Sequence, residues 1–195
     1  MTRPARFLIG GVILGAVVAA WLWSRSGGER VVLDLVDAWP TAKQRVVPDN
    51  QSVVDATISG DTRKSILVTQ PGRIVYEVAI PERAWLKLAV GMLEKSWTIP
   101  GDGVTIFLYV VPLGPDGKVM VSAENQMIAD ELLSLTVNPY GNPADKLWHD
   151  LTLDLAKYAG KTVEVRLVTT ASPTAKTHDV NGDFLVWGQP RVVVN

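Results

Sequence analysis

The chain has 195 residues, 47% of them apolar, and 19 basic against 20 acidic side chains leave a formal net charge of −1. That length fits one domain plus an appendage, and the balanced charge, with no stripe of clustered Lys and Arg, excludes a nucleic-acid binder working through a basic field. Cysteine is absent, which removes disulfides, thiolate zinc sites, iron–sulfur ligation and thiol nucleophiles.

Phe7 to Trp23 is an unbroken apolar run. As a helix it spans about 25 Å, slightly short of a hydrocarbon core of about 30 Å. Arg6 and Arg25 extend it by snorkelling, and Trp21 and Trp23 suit the aromatic belt at the membrane interface. The rival reading is a cleaved signal peptide, with Arg3 and Arg6 as its positive region and Val18-Ala19-Ala20 as its cleavage site. The apolar run continues past that site through Trp21, Leu22 and Trp23, so the expectation is a transmembrane signal anchor over 7–23. Residues 1–6 then form a short cytoplasmic N-terminus. Arg25 and Arg30 on the far flank leave only a thin positive-inside bias for that orientation.

Gly11, Gly15 and Ala19 recur every fourth residue and share one helix face. Small residues there let a partner helix approach closely, which is what associates helices in lipid. Glycine is also common in membrane helices for no such reason. Ser24 to Glu29, "SRSGGE", is a tether reaching at most about 20 Å, so the domain expected over 30–195 sits near the membrane surface.

From Arg30 onward the pattern changes to short apolar or alternating runs separated by turn residues. In order they are "RVVLDLVDAW", "SVVDATIS", "KSILVTQ", "RIVYEVAI", "AWLKLAVGM", "GVTIFLYVV", "KVMVSA", "LWHDLTLDL", "TVEVRLVTT" and "FLVWGQPRVVV". Each has strand length and β-branched or aromatic character. About ten strands without long helical patterns between them predict an antiparallel sandwich or barrel. Ile106 to Val111 is apolar on both faces and reads as a central strand. Leu151 to Leu155 alternates, as in a strand with one wet face. "MIADELLSL" at 127–135 fits a helix or a strand.

Few residues suggest chemistry. His149 and His178 each precede an aspartate, but neither stands in a metal-ligand spacing such as HExxH; both read as surface or loop histidines. "HDVNGD" places Asp179, Asn181 and Asp183 at alternate positions, yet the glycine and the twelfth residue do not fit a calcium-binding EF-hand. Ser134, His149 and Asp179 make a triad only on paper, since no GxSxG elbow supports it. No catalytic residue, metal ligand or cofactor site is identified, and the expectation is a non-enzyme. Of the domain's five tryptophans, periodicity puts Trp85 on the core face. Trp97, beside the loop "IPGDG", is the candidate for an exposed ligand or partner contact.

"WHDLTLDLAKYAGKTVEVRLVT" joins a strand ending in Asp-Leu, a Tyr-Ala-Gly-Lys turn and a Val-rich strand. With "TRKSILVTQPGRIVYEVAIP", "AWLKLAVGM" and "FLVWGQPRVVV", this resembles galactose-binding-like jelly-roll domains over Val53 to Val194. Such domains occur as carbohydrate-binding modules and beside bacterial membrane enzymes, outside the cytoplasmic membrane. The resemblance implies a jelly-roll β-sandwich in a periplasmic setting at the bacterial inner membrane. It carries over no sugar-binding residue, because the matching residues belong to turns and core.

Two functions follow as expectations. The first is a non-catalytic accessory subunit of a larger membrane complex, respiratory or photosynthetic assemblies being hosts of that kind. Its helix docks on membrane subunits within the lipid bilayer, and its sandwich packs on the periplasmic side. A short tether suits docking better than searching for distant ligands. The alternative is a membrane-tethered carbohydrate-binding module.

Overall fold

The computed structural model describes residues 28–45, 48–171 and 180–194. The calls on Arg6, Gly11, Gly15, Ala19, Trp21, Trp23 and Arg25, and on His178 and Asp179, lie outside the described residues. Backbone contacts divide the chain into two units, 1–30 with 195, and 31–194. The second unit carries the sandwich. Among the described residues, no helix is long and apolar enough to cross a membrane.

Eleven strands are described: β1 (Arg30–Asp34), β2 (Gln44–Arg45), β3 (Gln51–Ile58), β4 (Asp61–Val68), β5 (Gly72–Ala79), β6 (Ala84–Met92), β7 (Val104–Pro112), β8 (Asp130–Val137), β9 (His149–Asp154), β10 (Thr162–Ala171) and β11 (Leu185–Val194). They form two sheets. One runs β3-β4-β11-β6-β9, with β1 also on β11; the other runs β2-β5-β10-β7-β8. Every long pairing is antiparallel.

The order of pairing identifies the architecture. Strand β4 pairs with β11, β5 with β10, β6 with β9 and β7 with β8. A long ribbon folded back on itself at the β7–β8 connection gives those four pairs. Rolling the ribbon then brings β11 beside β6 and β10 beside β7. That is the jelly roll, with its eight principal strands divided equally between two sheets. The sandwich-or-barrel alternative is thereby resolved in favour of the sandwich.

Alternation builds the core. Ile66, Val68, Leu86, Leu88, Val90 and Trp187 from one sheet meet Ile74, Tyr76, Val78, Ile106, Leu108, Val110, Val165 and Leu167 from the other. Each large aliphatic or aromatic side chain buried this way contributes about 1.5–3 kcal/mol from removed apolar surface. Tyr76 keeps its hydroxyl satisfied by donating to the Leu35 carbonyl at 2.9 Å. A second cluster lies on the outer face of the six-stranded sheet. There Ala56, Ile58, Ala89, Trp148 and Val186 are buried, with Leu67, Leu93 and Trp97 packed against them.

Several expectations meet a definite outcome. Strand β7 is flanked by β10 and β8, as a run apolar on both faces requires. Strand β9 alternates half-buried and exposed, consistent with its edge position. Residues 130–135 of the ambiguous segment are strand, the first part of β8. "KVMVSA" forms no strand; it enters an excursion between β7 and β8 held by the bridges Leu113–Val119 and Val121–Met127. Trp85 does not face the core. Ala84, Leu86 and Leu88 occupy the inner face of β6, and the pleat therefore turns Trp85 outward, where it is half-buried.

Candidate functional site

Trp97 lies in a 3-10 turn after β6, over Glu94–Thr98. Its indole is half-buried and packs on the outer cluster of the six-stranded sheet. The ring nitrogen donates to the Met92 carbonyl at 3.2 Å, and the Lys146 ammonium stands 5.7 Å from the ring centre. The bond to Met92 holds the indole in place, so part of its surface serves packing.

The outer face of the five-stranded sheet offers a different arrangement. Phe107 and Tyr109 lie two apart on β7, so both rings project from the same face. Their centroids are 5.9 Å apart and their planes differ by only 16°. The register sets Arg166 of β10 opposite Tyr109 and Val168 opposite Phe107. On the other flank Glu131 of β8 stands opposite Tyr109 and Ser134 opposite Phe107. The Tyr109 hydroxyl donates to Glu131 at 3.1 Å. Burial and that carboxylate together raise the phenol above its ordinary range. The result is a half-buried aromatic strip with a guanidinium on one side and a carboxylate on the other.

Arg166 is held rigidly. Its Nη2 and Nε donate to one oxygen of Glu164 at 2.6 and 3.0 Å, and Nη1 contacts the Met127 sulfur at 3.0 Å. Lys43 donates to the other Glu164 oxygen at 2.8 Å. Glu164 is only 4% exposed. Burial works against its charge, but the hydrogen bonds from Lys43 and Arg166 outweigh that and keep its carboxyl below the usual range. A guanidinium fixed in this way presents its remaining edge without further ordering.

Along β10 toward Thr162 the same face ends in a cleft of about 480 Å³. Leu113, Gly114, Gly117, Gly160, Lys161 and Glu77 line it. Much of that lining is backbone and charged side chain, a polar surface suited to hydroxyl-rich ligands rather than apolar ones. The β7–β8 excursion beside it exposes Met120, Val121, Met127 and Ile128 by 38–52%.

His149 is not a free surface histidine. It is half-buried at the start of β9, with Nε2 3.5 Å from Asp145. The burial of Trp148 beside it draws the segment inward. Asp145 is itself engaged, accepting from the Asn138 amide at 2.8 Å. Among the described residues no three His, Cys, Asp or Glu side chains group as a metal site. What these surfaces offer is stacking and hydrogen bonding.

The sequence held a signal for the aromatic strip that a reading of β7 as a core strand passes over. Two aromatics at i and i+2 on a strand must share a face, and Leu108 between them is the one that enters the core. No such signal exists for Lys43 and Glu164, which are 121 residues apart.

Comparison with known proteins gives the following. No family model matches the chain. An uncharacterized protein of Archaeoglobus fulgidus is 27% identical over 120 residues, which is 61% of this chain. The chain spans about a quarter, 26%, of that curated relative's length. Among solved structures, the chain is similar to CBM51 from a Clostridium perfringens protein, solved in complex with methyl-galactose, with TM-score 0.47 and 13% identity. That match covers 85% of this chain and 99% of the other. It is similar to a CBM22 xylan-binding domain from Paenibacillus barcinonensis, with TM-score 0.46, 10% identity, and 74% and 81% of the two chains covered. It is also similar to a cleaved adhesin domain of Lys-gingipain from Porphyromonas gingivalis, with TM-score 0.47, 14% identity, and 85% and 99% covered.

Proposed function

We propose that the sandwich is a non-catalytic carbohydrate-binding module that takes its ligand on the outer face of the five-stranded sheet. The observation that carries this reading is the near-parallel Phe107–Tyr109 pair beside a pre-set Arg166. The C–H faces of a sugar stack on aromatic rings, while its hydroxyls take hydrogen bonds from a fixed guanidinium and give them to a carboxylate. Glu131 supplies that carboxylate next to Tyr109. In this reading the apolar run 7–23 anchors the module in the bacterial cytoplasmic membrane, with the sandwich on the periplasmic side.

The test is binding of the full chain, in mild detergent, to a glycan array, followed by affinity measurement on the best ligand. Truncating an aromatic anchor at a binding centre costs about 2 kcal/mol or more, so Phe107→Ala or Tyr109→Ala should weaken binding by about thirtyfold. An array without any ligand, or binding indifferent to both substitutions, overturns the reading.

A second reading, an accessory subunit of a membrane complex, draws support from the exposed Met120, Val121, Met127 and Ile128 on one excursion. Apolar side chains gathered at the surface mark contact sites. Comigration of the chain with a large assembly after mild detergent extraction would favour it, and migration alone would dismiss it.

A further inference from the structure

The strand pairings gather three connections and the start of β1 at one end of the sandwich. The last residues of β5 stand beside the first of β10, which also stand beside the last of β7. Strand β8 begins opposite Val110, near the end of β7. In the other sheet the start of β6 pairs with the ends of β11 and β9. The two sheets are tied together here. The Ile80 amide donates to the Lys161 carbonyl at 2.9 Å, and the Gly160 amide donates to the Ile80 carbonyl at 2.8 Å. Strand β1 starts at the same end. On β11, β6 occupies one flank along its length, and β4 occupies the other only from Leu185 to Gly188. Strand β1 also lies on β11, so it takes the free part of that second flank, past Gly188. The Leu35 amide, just after β1, donates to the Pro190 carbonyl at 2.8 Å. The first residues of β1 therefore lie toward Val194, and whatever precedes β1 joins the sandwich at this end.

The same end is apolar where it meets solvent. Val31 at the start of β1 is exposed, and so are Met120, Val121, Met127 and Ile128 of the β7–β8 excursion. They are five of the nine exposed large apolar side chains among the described residues, so the exposure is gathered here rather than scattered singly. The excursion holds its four in a small hairpin. Val121 bridges Met127, and the Ile128 amide donates to the Met120 carbonyl at 3.0 Å. Trp85, turned outward and half-buried near the start of β6, adds an indole. Charges of the excursion and of its neighbours are engaged within the protein. Lys118 lies 3.7 Å from Asp116 and Lys157 2.9 Å from Asp130, while Glu124 accepts from the Ser122 hydroxyl at 2.8 Å.

We propose that this end of the sandwich lies on a lipid bilayer, with the apolar side chains of the β7–β8 hairpin set into the headgroup boundary. The proposal rests on the reading of 7–23 as a membrane anchor and is independent of the carbohydrate reading. Six residues, 24–29, join that run to β1, and they reach at most about 20 Å. The nine-residue strand β7 is about 30 Å long, so the opposite end of the sandwich lies beyond that reach. The end where β1 starts is thus the one the anchor holds against the bilayer, and it is the one that carries the hairpin. Apolar side chains of this kind bury about 5–10 Å into the boundary between headgroups and acyl chains. An indole such as Trp85 suits the same level. With the nearby charges paired, the contact is apolar rather than electrostatic.

The experiment labels the full chain at single introduced cysteines, none being native, with an environment-sensitive fluorophore. The chain is reconstituted into vesicles of phosphatidylcholine, alone or mixed with phosphatidylglycerol, in which some lipids carry a nitroxide high on the acyl chain. Labels at Met120→Cys and Val121→Cys should be quenched at least about twofold, as burial about 5–10 Å deep requires, and equally in both kinds of vesicle. A label at Tyr140→Cys, on the β8–β9 connection at the opposite end, should stay unquenched. Using two hairpin positions keeps the test decisive if one variant fails to fold. Ala16→Cys, inside the apolar run, reports the anchor through nitroxides placed near the acyl-chain ends. Quenching at Ala16→Cys without quenching at either hairpin position overturns this proposal and leaves the anchor standing. No quenching at any position overturns both. Hairpin labels unquenched in pure lipid yet shielded from aqueous iodide in native membranes also overturn it, in favour of a protein partner.

Discussion

The indole of Trp148 rests on the bare backbone of Gly188: a Cβ placed at 188 would meet the ring Cζ3 at 2.8 Å. Gly91 on the neighbouring strand leaves the same ring room, its missing Cβ standing 3.4 Å from Cε3. The two glycines pave a trough across β11 and β6, and Trp148 fills it. Its N–H donates to the Asp61 carbonyl at 3.0 Å, tying the approach to β9 to the β3–β4 turn. Gly188→Ala should therefore destabilise the domain by about 1–3 kcal/mol, the range for overpacking a filled site. A urea denaturation midpoint lowered without a change of slope would confirm it. An unchanged midpoint would mean that the ring moves aside freely.

Two buried tryptophans should respond differently to the same substitution. Trp187 is fully buried, yet its ring N–H has no hydrogen-bond partner among the described residues. An unsatisfied buried donor costs about 1–3 kcal/mol. Trp187→Phe removes that cost while leaving a small cavity, and the two effects oppose each other. Its stability should stay within about 1 kcal/mol of the parent, a small change for so buried a residue. Trp148→Phe gives up a made hydrogen bond as well as volume, and should be the more destabilising of the pair. Thermal melts of the two variants side by side decide the ranking.

Tyr158 and Asp130 give stability a dependence on pH at both ends of the scale. The phenol donates to the carboxylate at 2.6 Å, and Lys157 donates to the same oxygen at 2.9 Å. The Tyr158 bond first, then Lys157, lowers the Asp130 pKa. A depressed carboxyl stabilises the fold above its unfolded pKa, near 4, and loses that contribution as pH falls through the folded value. Burial first, then Asp130, pushes the Tyr158 phenol well above its ordinary value. That contribution is complete below the unfolded value of about 10 and is lost as pH rises from there toward the folded one. The stability difference between the parent and Tyr158→Phe should thus be flat near neutrality and shrink at both extremes. A difference constant from pH 3 to pH 11 would show that the hydroxyl bond contributes nothing.

The sequence was most legible where one strand answers to its own alternation. The doubly apolar β7 read as a central strand, and β9 read as a strand with one wet face. Sheet membership was not legible, because alternation says which side chains turn inward but not which neighbours a strand has. At Trp85 the phase of the alternation was misread: Ala84 is completely buried and the indole beside it is not. The pleat obeys the majority of β6, whose Leu86, Leu88 and Val90 fix the inward phase. The aromatic strip was hidden for a related reason. Apolar character on both faces marks a strand as interior to its sheet without telling what, if anything, lies over the outer face. The Arg63 bridge to Asp150 spans 87 residues of chain, a juxtaposition that only the rolled ribbon creates.

The position of β11 has a consequence for how this chain is made. It is the last described strand, yet it stands between β4 and β6 and bonds to both. While a ribosome is still adding residues short of Val194, β4 and β6 each face an open slot where β11 will lie. Two half-sheets with unpaired inner edges are an aggregation hazard for as long as that slot stays empty. Closure of this sheet therefore waits for the ten-residue β11 to insert between β4 and β6. A pulse-proteolysis series on stalled nascent chains should find protease resistance appearing abruptly with this strand, rather than growing strand by strand.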